Sequence, residues 1–347
     1  MIVNTDHPAV LDFFNAEYQY HRAMSPMAVT QTKQIPTLQL NFFQVGYHQG
    51  QVPEKFTAHV HKLLASWAYR IELDDSSIKI DAIGNRLAVP MIHHMLILPS
   101  LRYLSARQGV LLLHAGSVTL EGSSLILTGK GGAGKTTSTS LLLAEGGSSW
   151  KPHADDYVFL APGKKTLAYI SRSHLYRDIL RWIPELRQRL TRSDRFRLEV
   201  FGRLREWSRD GIKWPVRLPV SSLWPDREVQ MQARLSAFIL LARNPSIQEP
   251  VLLPIRQDEL PVQDLVTMNF YEARYFLQLL EKSHALPDIT AWVNKWQAIE
   301  TVLLRSCLSQ IPVYQLSLPA QVTRPADLRR QVFIQLAGLL LPTLNEA

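Results

Sequence analysis

Apolar residues recur along this chain at two rhythms, and the change between them divides it. In the first hundred residues, "TLQLNFFQV", "YRIEL" and "IKIDAI" alternate apolar and polar positions, the period of strands with one buried face. The run Asp-Asp-Ser-Ser between the last two predicts a turn. "FTAHVHKLLASW" carries apolar residues at helical spacing and predicts a helix. "MIHHMLILPSLRYLSARQG" predicts another, kinked or broken at Pro99 and ending near Gly109. Residues 1–105 thus read as a small α+β module.

From residue 106 onward the apolar runs become continuous. "GVLLLHAGSVTL" and "SSLILTG" predict two buried strands joined at Glu121-Gly122 by a tight turn. The second runs into the glycine-rich stretch "KGGAGK", after which "KTTSTSLLLAEGG" predicts a helix stopped by Gly146-Gly147. "YVFLAP", "TLAYIS", "LSAFILLAR" and "VYQLSL" predict strands. "RDILRWIPELRQRL" and "RFRLEVFGRLREWS" predict Arg-bearing helices. "YEARYFLQLLEK", "DITAWVNKWQAIETVLLRS" and "DLRRQVFIQLAGLLL" predict the helices of the last hundred residues. Strands and helices interleaved in this way place the chain in the α/β class, with a mixed sheet flanked by helices over 106–347.

Composition sharpens the picture in three places. With 347 residues, 46% of them hydrophobic, the chain can bury a large core. The formal charge of +8 is concentrated: residues 171–217 hold twelve Arg and one Lys against six acids, a local +7. Such a segment is either a solvated helical face whose Arg stems cover apolar surface, or a docking surface for an acidic or phosphorylated partner. No nucleic-acid motif accompanies it, which weighs against DNA or RNA. The single cysteine, Cys307, cannot form an internal disulfide. No run reaches the ~18 apolar residues of a membrane span, and "MIVNTDHPAV" lacks the features of a secretion signal. These point to a cytoplasmic protein, and nothing in the sequence speaks against a homo-oligomer.

The glycine stretch carries the chemistry. Gly129-x-x-x-x-Gly134-Lys135-Thr136 fits the phosphate-binding pattern G-x4-G-K-[ST], and strand, loop and helix follow one another as that pattern requires. Glycines let backbone N–H groups approach a polyphosphate, the helix start adds its positive dipole end, Lys135 can reach the β- and γ-phosphates, and the Thr136 hydroxyl can ligate Mg²⁺. Gly129, Lys130, Gly131, Gly132, Ala133, Gly134, Lys135, Thr136 and Thr137 are therefore the candidate ATP cradle. Phosphoryl transfer also needs carboxylates for the metal and for the acceptor's proton. Asp155 and Asp156, in "HADDYVFL", begin nineteen residues after Thr136. Adjacent on an extended chain they would point to opposite sides, which suggests two different tasks.

"LLLHAGSVTLEGSSLILTGKGGAGKTTSTSLLLAEGG" followed by "HADDYVFL" resembles the HPr kinase/phosphorylase family and its stand-alone relatives, serine kinases on the phosphoenolpyruvate-carboxykinase-like P-loop fold. The resemblance covers about residues 109–160, with a weaker echo at "VYQLSLP". It implies Asp155 as the general base that deprotonates the acceptor hydroxyl, Asp156 beside Thr136 at Mg²⁺, and His114 near the phosphates. It also implies a serine acceptor on a protein or peptide, or free serine. "LEVFGRL" is similar to a family signature that supplies a metal-site glutamate, which would be Glu199, but it lacks that signature's Arg after the apolar residue. Pro152-His153 stand where relatives have apolar residues, and the Arg-rich segment matches no family hallmark.

The run from Lys130 to Thr136 also resembles the deviant phosphate loop of partitioning and nitrogenase-iron-protein ATPases, in which an extra lysine reaches a partner's nucleotide. Those proteins carry the loop near the N-terminus and lack the paired acids, whereas here 128 residues precede Gly129. The expectation is an ATP- and Mg²⁺-dependent kinase acting on a hydroxyl, most simply a protein or peptide serine docked on 171–217. A free-serine or metabolite kinase and a non-catalytic nucleotide switch are the alternatives. His59 and His61, two apart on the predicted helix, face different ways and so offer poor metal geometry, and His93-His94 is similar.

Overall fold

The computed structural model describes residues 1–21, 36–44, 56–62, 64–209, 211, 214–320 and 325–340. Two compact units emerge. The first takes Met1–Leu112 together with Val262–Leu304, and the second takes Leu113–Pro261 together with Arg305–Ala347. A single cut near 105 does not reproduce this division, because the chain returns to the first unit after residue 261.

In the first unit, strands β1 (Ile2–Thr5), β2 (Thr37–Gln44), β3 (Ala58–Lys62), β4 (Ala65–Leu73) and β5 (Ser77–Gly84) form a mixed sheet ordered β1-β2-β5-β4-β3. The turn before β5 is held by Asp74, whose carboxylate accepts the Ser76 N–H at 2.8 Å and the Ser77 N–H at 2.5 Å. The expected helix over "FTAHVHKLLASW" is instead β3 and the start of β4, paired antiparallel; Leu63 lies outside the described residues. Trp67 and Tyr69 explain the difference. Two residues apart, they share one strand face and are fully buried, whereas a helix would set them on nearly opposite sides. His59 and His61 likewise share a strand face, which corrects the expectation that they diverge.

Residues 88–107 stay helical through Pro99. The stretch His93–Ile97 widens into a π-turn between the α-helices Ala88–Ile92 and Leu98–Arg107. The Leu98 N–H bonds back to the His93 carbonyl, and this wider turn gives proline's missing donor and its ring room without a break. Helices Val262–Glu272, Arg274–Lys282 and the first part of Ile289–Leu308 complete the unit. Its core holds a charged pair: Arg102, 3% exposed, donates to Glu300, fully buried, at 2.7 and 2.5 Å. Asn269 and the Trp296 indole also donate to Glu300, so the charge is well surrounded by donors.

The second unit is built on an eight-stranded mixed sheet. Its strands are β6 (Leu111–Leu120), β7 (Ser123–Thr128), β8 (Trp150–Ala154), β9 (Tyr157–Ala161), β10 (Lys165–Tyr169), β13 (Gln232–Asn244), β14 (Val251–Ile255) and β15 (Val313–Pro319). They run in the order β14-β15-β13-β7-β6-β8-β10-β9, while β11 (Arg172–Leu175) and β12 (Val216–Pro219) make a separate hairpin. The near-continuous apolar character of β6 and β7 suits strands covered on both faces. Their link uses Glu121 at φ 49° and Gly122 at φ 80°, the two left-handed residues of a tight hairpin turn. A further pairing of β10 with β13 rolls part of the sheet on itself. Inside that roll His153 bonds Thr166 at 2.9 Å, and the Thr166 hydroxyl lies 3.0 Å from that of Ser124. Burial holds the His153 imidazole at a pKa of about 4, so it stays neutral and structural.

Helix Lys135–Glu145 follows β7, and the Arg-bearing helix Arg192–Trp207 forms as expected. "RDILRWIPELRQRL" does not make one helix. It makes single turns, Ile179–Trp182 and Leu186–Arg189, because Pro184 forces Ile183 out of helical geometry to φ −133°, ψ 76°. Among the described residues no helix is long and apolar enough to cross a membrane.

Candidate functional site

The site grows from the end of β7. Buried Thr128 closes the strand, and its hydroxyl donates to the His114 carbonyl on β6 at 3.0 Å. The chain then turns through Gly129–Gly134 and enters the helix at Lys135. Gly134 sits at φ +113°, where a side chain is strained, and a Cβ there would stand 3.3 Å from Leu318 and 3.4 Å from the Arg243 guanidinium. The first helical bond runs from the Ser138 N–H to the Gly134 carbonyl at 2.8 Å, so the loop's own N–H groups are those of a helix start. Lys135 is 7% exposed and folds back across the loop, its Nζ donating to the Gly129 carbonyl at 2.8 Å. Thr136 and Thr137 follow it on the first helical turn, half-buried.

Gly116 on β6 brings the second half of the site close. A Cβ there would lie 2.7 Å from the Thr139 methyl of the helix and 3.2 Å from the Asp155 carbonyl, so only glycine lets helix and acidic turn pack against this strand. The Ala115 N–H donates to the Asp156 carbonyl at 3.0 Å and fixes that turn between β8 and β9.

The two carboxylates do not go to opposite sides. Asp155 and Asp156 occupy a bend rather than an extended strand, and both converge on His174 of β11. The His174 backbone N–H donates to Asp155 Oδ2 at 3.0 Å, and the His174 imidazole is hydrogen-bonded through Nδ1 to the Asp156 carboxylate. One ligand atom from each of the three residues lies within 4.8 Å of the others, a spacing that could hold a metal ion. Each keeps a solvent-facing edge; the Asp156 and His174 side chains are both 27% exposed.

The environment separates the two acids. Burial, reinforced by the charge of Asp156, raises the Asp155 pKa to about 7, against the pull of His174 and Ser173. Burial presses Asp156 the same way, but the charge and hydrogen bond of His174, with His114 and Lys135 behind them, outweigh it and hold this carboxyl below its usual range. Burial also opposes a charged His174, yet the two carboxylates prevail and raise its pKa, with Arg217 working against them. One acid thereby titrates near neutrality while the other is kept ionised.

Of the residues singled out in the sequence, Asp155, Asp156, Lys135 and His114 do gather: His114 and Lys135 both act on Asp156, and the His114 ring lies 5.3 Å from that of Tyr157. Glu199 does not join the acidic turn but pairs with Arg177 at 3.4 Å on the helix Arg192–Trp207. His93 bonds the Tyr18 hydroxyl at 3.0 Å within the first unit. Three residues escaped sequence reasoning. His174 belongs to the short strand "RSHL", Arg217 faces it from β12 in register, and Arg243 reaches the loop from the end of β13, where its Nη1 donates to the Pro319 carbonyl at 2.9 Å. Only the Arg-rich composition of 171–217 hinted at the first two.

No protein-family model matches the chain, and no curated protein matches it.

Proposed function

We propose that this site performs phosphoryl transfer from a magnesium nucleotide to a hydroxyl. In its particulars it is a serine kinase with the P-loop core of the HPr kinase/phosphorylase family, acting on a protein or peptide serine. The observation that carries this reading is the convergence of Lys135 and the Asp155-Asp156 pair, made possible by the absence of a side chain at Gly116.

The donor set suits the groups required. A hard divalent cation takes oxygen ligands, and ionised Asp156 with the Thr136 hydroxyl would hold it; when bound, it would supply positive charge that stabilises the transferring phosphoryl group. The glycine loop offers helix-start N–H groups to the polyphosphate, with no side chain at Gly134 in the way. Lys135 exchanges the Gly129 carbonyl for phosphate oxygens, and Arg243 stands beside the same loop. Asp155 accepts the proton of the acceptor hydroxyl as that oxygen bonds to the γ-phosphorus; the bond from phosphorus to the bridging oxygen breaks and the nucleoside diphosphate leaves. His174 orients both carboxylates while this happens.

The direct test is incubation with γ-labelled Mg-ATP and serine peptides or free serine, with the label located by mass spectrometry. Label on a serine oxygen meets the expectation. Nucleotide binding with hydrolysis alone, and no label on any acceptor, defeats it in favour of a switch.

A further inference from the structure

The second unit holds a cavity of about 260 Å³, lined among others by Tyr176, Arg177, Phe201, Arg205, Arg209 and Trp214. It is smaller than the ~300–1,000 Å³ typical of whole drug-sized ligands, so it suits one large side chain. Its walls are apolar and aromatic: Leu198 backs it, and Phe201 meets Trp214 edge-to-face at 5.7 Å. Its rim is basic. Arg205 lies 5.4 Å from the Tyr176 ring and pairs with Asp178 at 2.9 Å, while Arg177 crosses the helix at Gly202, where a Cβ would stand 2.9 Å from it. Exposed ion pairs of this kind exchange readily for a ligand's carboxylates.

The cavity is tied to the chemistry by the chain itself. Tyr176 follows His174 by two residues, about 7 Å along an extended chain, and its phenol feels the charges of Asp155 and Asp156. The helix that forms one wall, Arg192–Trp207, buries only Leu198 of its sixteen residues and leaves Phe196 69% and Trp207 81% exposed. The surrounding segment 171–217 carries the local +7, although residues 210, 212 and 213 lie outside the described residues.

From this juxtaposition we propose that the cavity is the acceptor's specificity pocket. It takes a bulky apolar or aromatic side chain about two residues from the phosphorylated serine, on a peptide segment whose flanking carboxylates meet the Arg rim. This rests on the phosphotransfer reading and names its substrate class, an acidic peptide. Free serine carries no second side chain to fill the pocket.

The test measures binding and transfer separately. Three fluorescein-labelled peptides are titrated into the full chain: one with a serine, a phenylalanine two positions away and flanking aspartates; one with lysines for the aspartates; and one with glycine for the phenylalanine. The first should bind at least about tenfold more tightly than the others. Trp214→Ala and Arg209→Glu should each weaken it by about tenfold, with thermal stabilisation by Mg-ATP unchanged as the check on folding. Equal affinity for all three peptides, wild-type affinity in both variants, or no binding of any peptide overturns the proposal. Binding in the expected order without label transfer leaves the pocket standing and removes the kinase reading. Transfer to serine that is indifferent to both variants leaves the kinase and removes the pocket.

Discussion

Replacing Asp155 with Asn removes the proposed base while keeping its size and most of its contacts. The His174 N–H can still donate, at 3.0 Å in the native protein, to the amide oxygen. Transfer to the acceptor should fall by a factor on the order of 10² to 10⁴, the usual contribution of a positioned base, with nucleotide affinity nearly unchanged. The native protein should add a second, independent magnitude. With a pKa of about 7, the ionised fraction of Asp155 is about one-tenth at pH 6 and about nine-tenths at pH 8, so the single-turnover rate should rise about tenfold over that span. In Asp155→Asn the residual rate should be flat over the same range. Stability runs the opposite way. The folded pKa is raised above the ordinary value near ~3.9, so the folded state holds the extra proton, and this contribution is present below about pH 4 and lost as pH rises through about 7. The Asn protein, a mimic of the protonated acid, should therefore lose less thermal stability than the native protein between pH 5 and 8. Rapid-quench measurement of labelled product with thermal melts across pH would check both. A flat native profile, or an Asn variant that transfers at the native rate, would refute the assignment of the base.

Three further outcomes follow from other contacts. Lys135→Ala should abolish thermal stabilisation by Mg-ATP, which in the native protein should amount to ~2.7 kcal/mol at one hundred times the dissociation constant; an unchanged shift would remove Lys135 from the phosphate site. Gly116→Ala places a methyl 2.7 Å from Thr139, and the forced separation of strand and helix should destabilise by about 1–3 kcal/mol in urea and weaken transfer as well. Loss of stability with full activity would mean that this approach does not position the acids. In the first unit, Glu300→Gln leaves the buried Arg102 without its counter-charge and should cost about 3–5 kcal/mol in chemical denaturation, whereas a neutral result would show the pair to be dispensable.

Much of the second unit was legible because its signals are local. Apolar runs flanked by Glu121-Gly122 and by the glycine loop specify β6, β7 and the helix Lys135–Glu145 within residues 111–145, each step enforced by backbone sterics that neighbouring residues decide. The hairpin of β3 and β4 was misread because Ala58–Trp67 is ambiguous between a helical and an alternating pattern. Pairing of β4 with β5 then settled the matter, a contact between segments no single window contains. The broken helix at Ile183-Pro184 was legible in principle, since proline restricts the residue before it.

By itself the sequence determined the strand, glycine loop and helix order, the presence of a lysine at the helix start, and an acidic pair downstream, because each depends on residue type and short spacing. The tertiary structure alone decided that both carboxylates turn to His174, which lies eighteen residues beyond Asp156 in a strand no motif marks. It also decided that Arg243 reaches the loop from the end of β13 and that Tyr176 and Trp214 close one pocket. The reason is physical. A side chain's partner across a sheet is set by register and long-range packing, and the proton affinity of an acid by the burial and charges that packing creates, neither of which is written in adjacent residues.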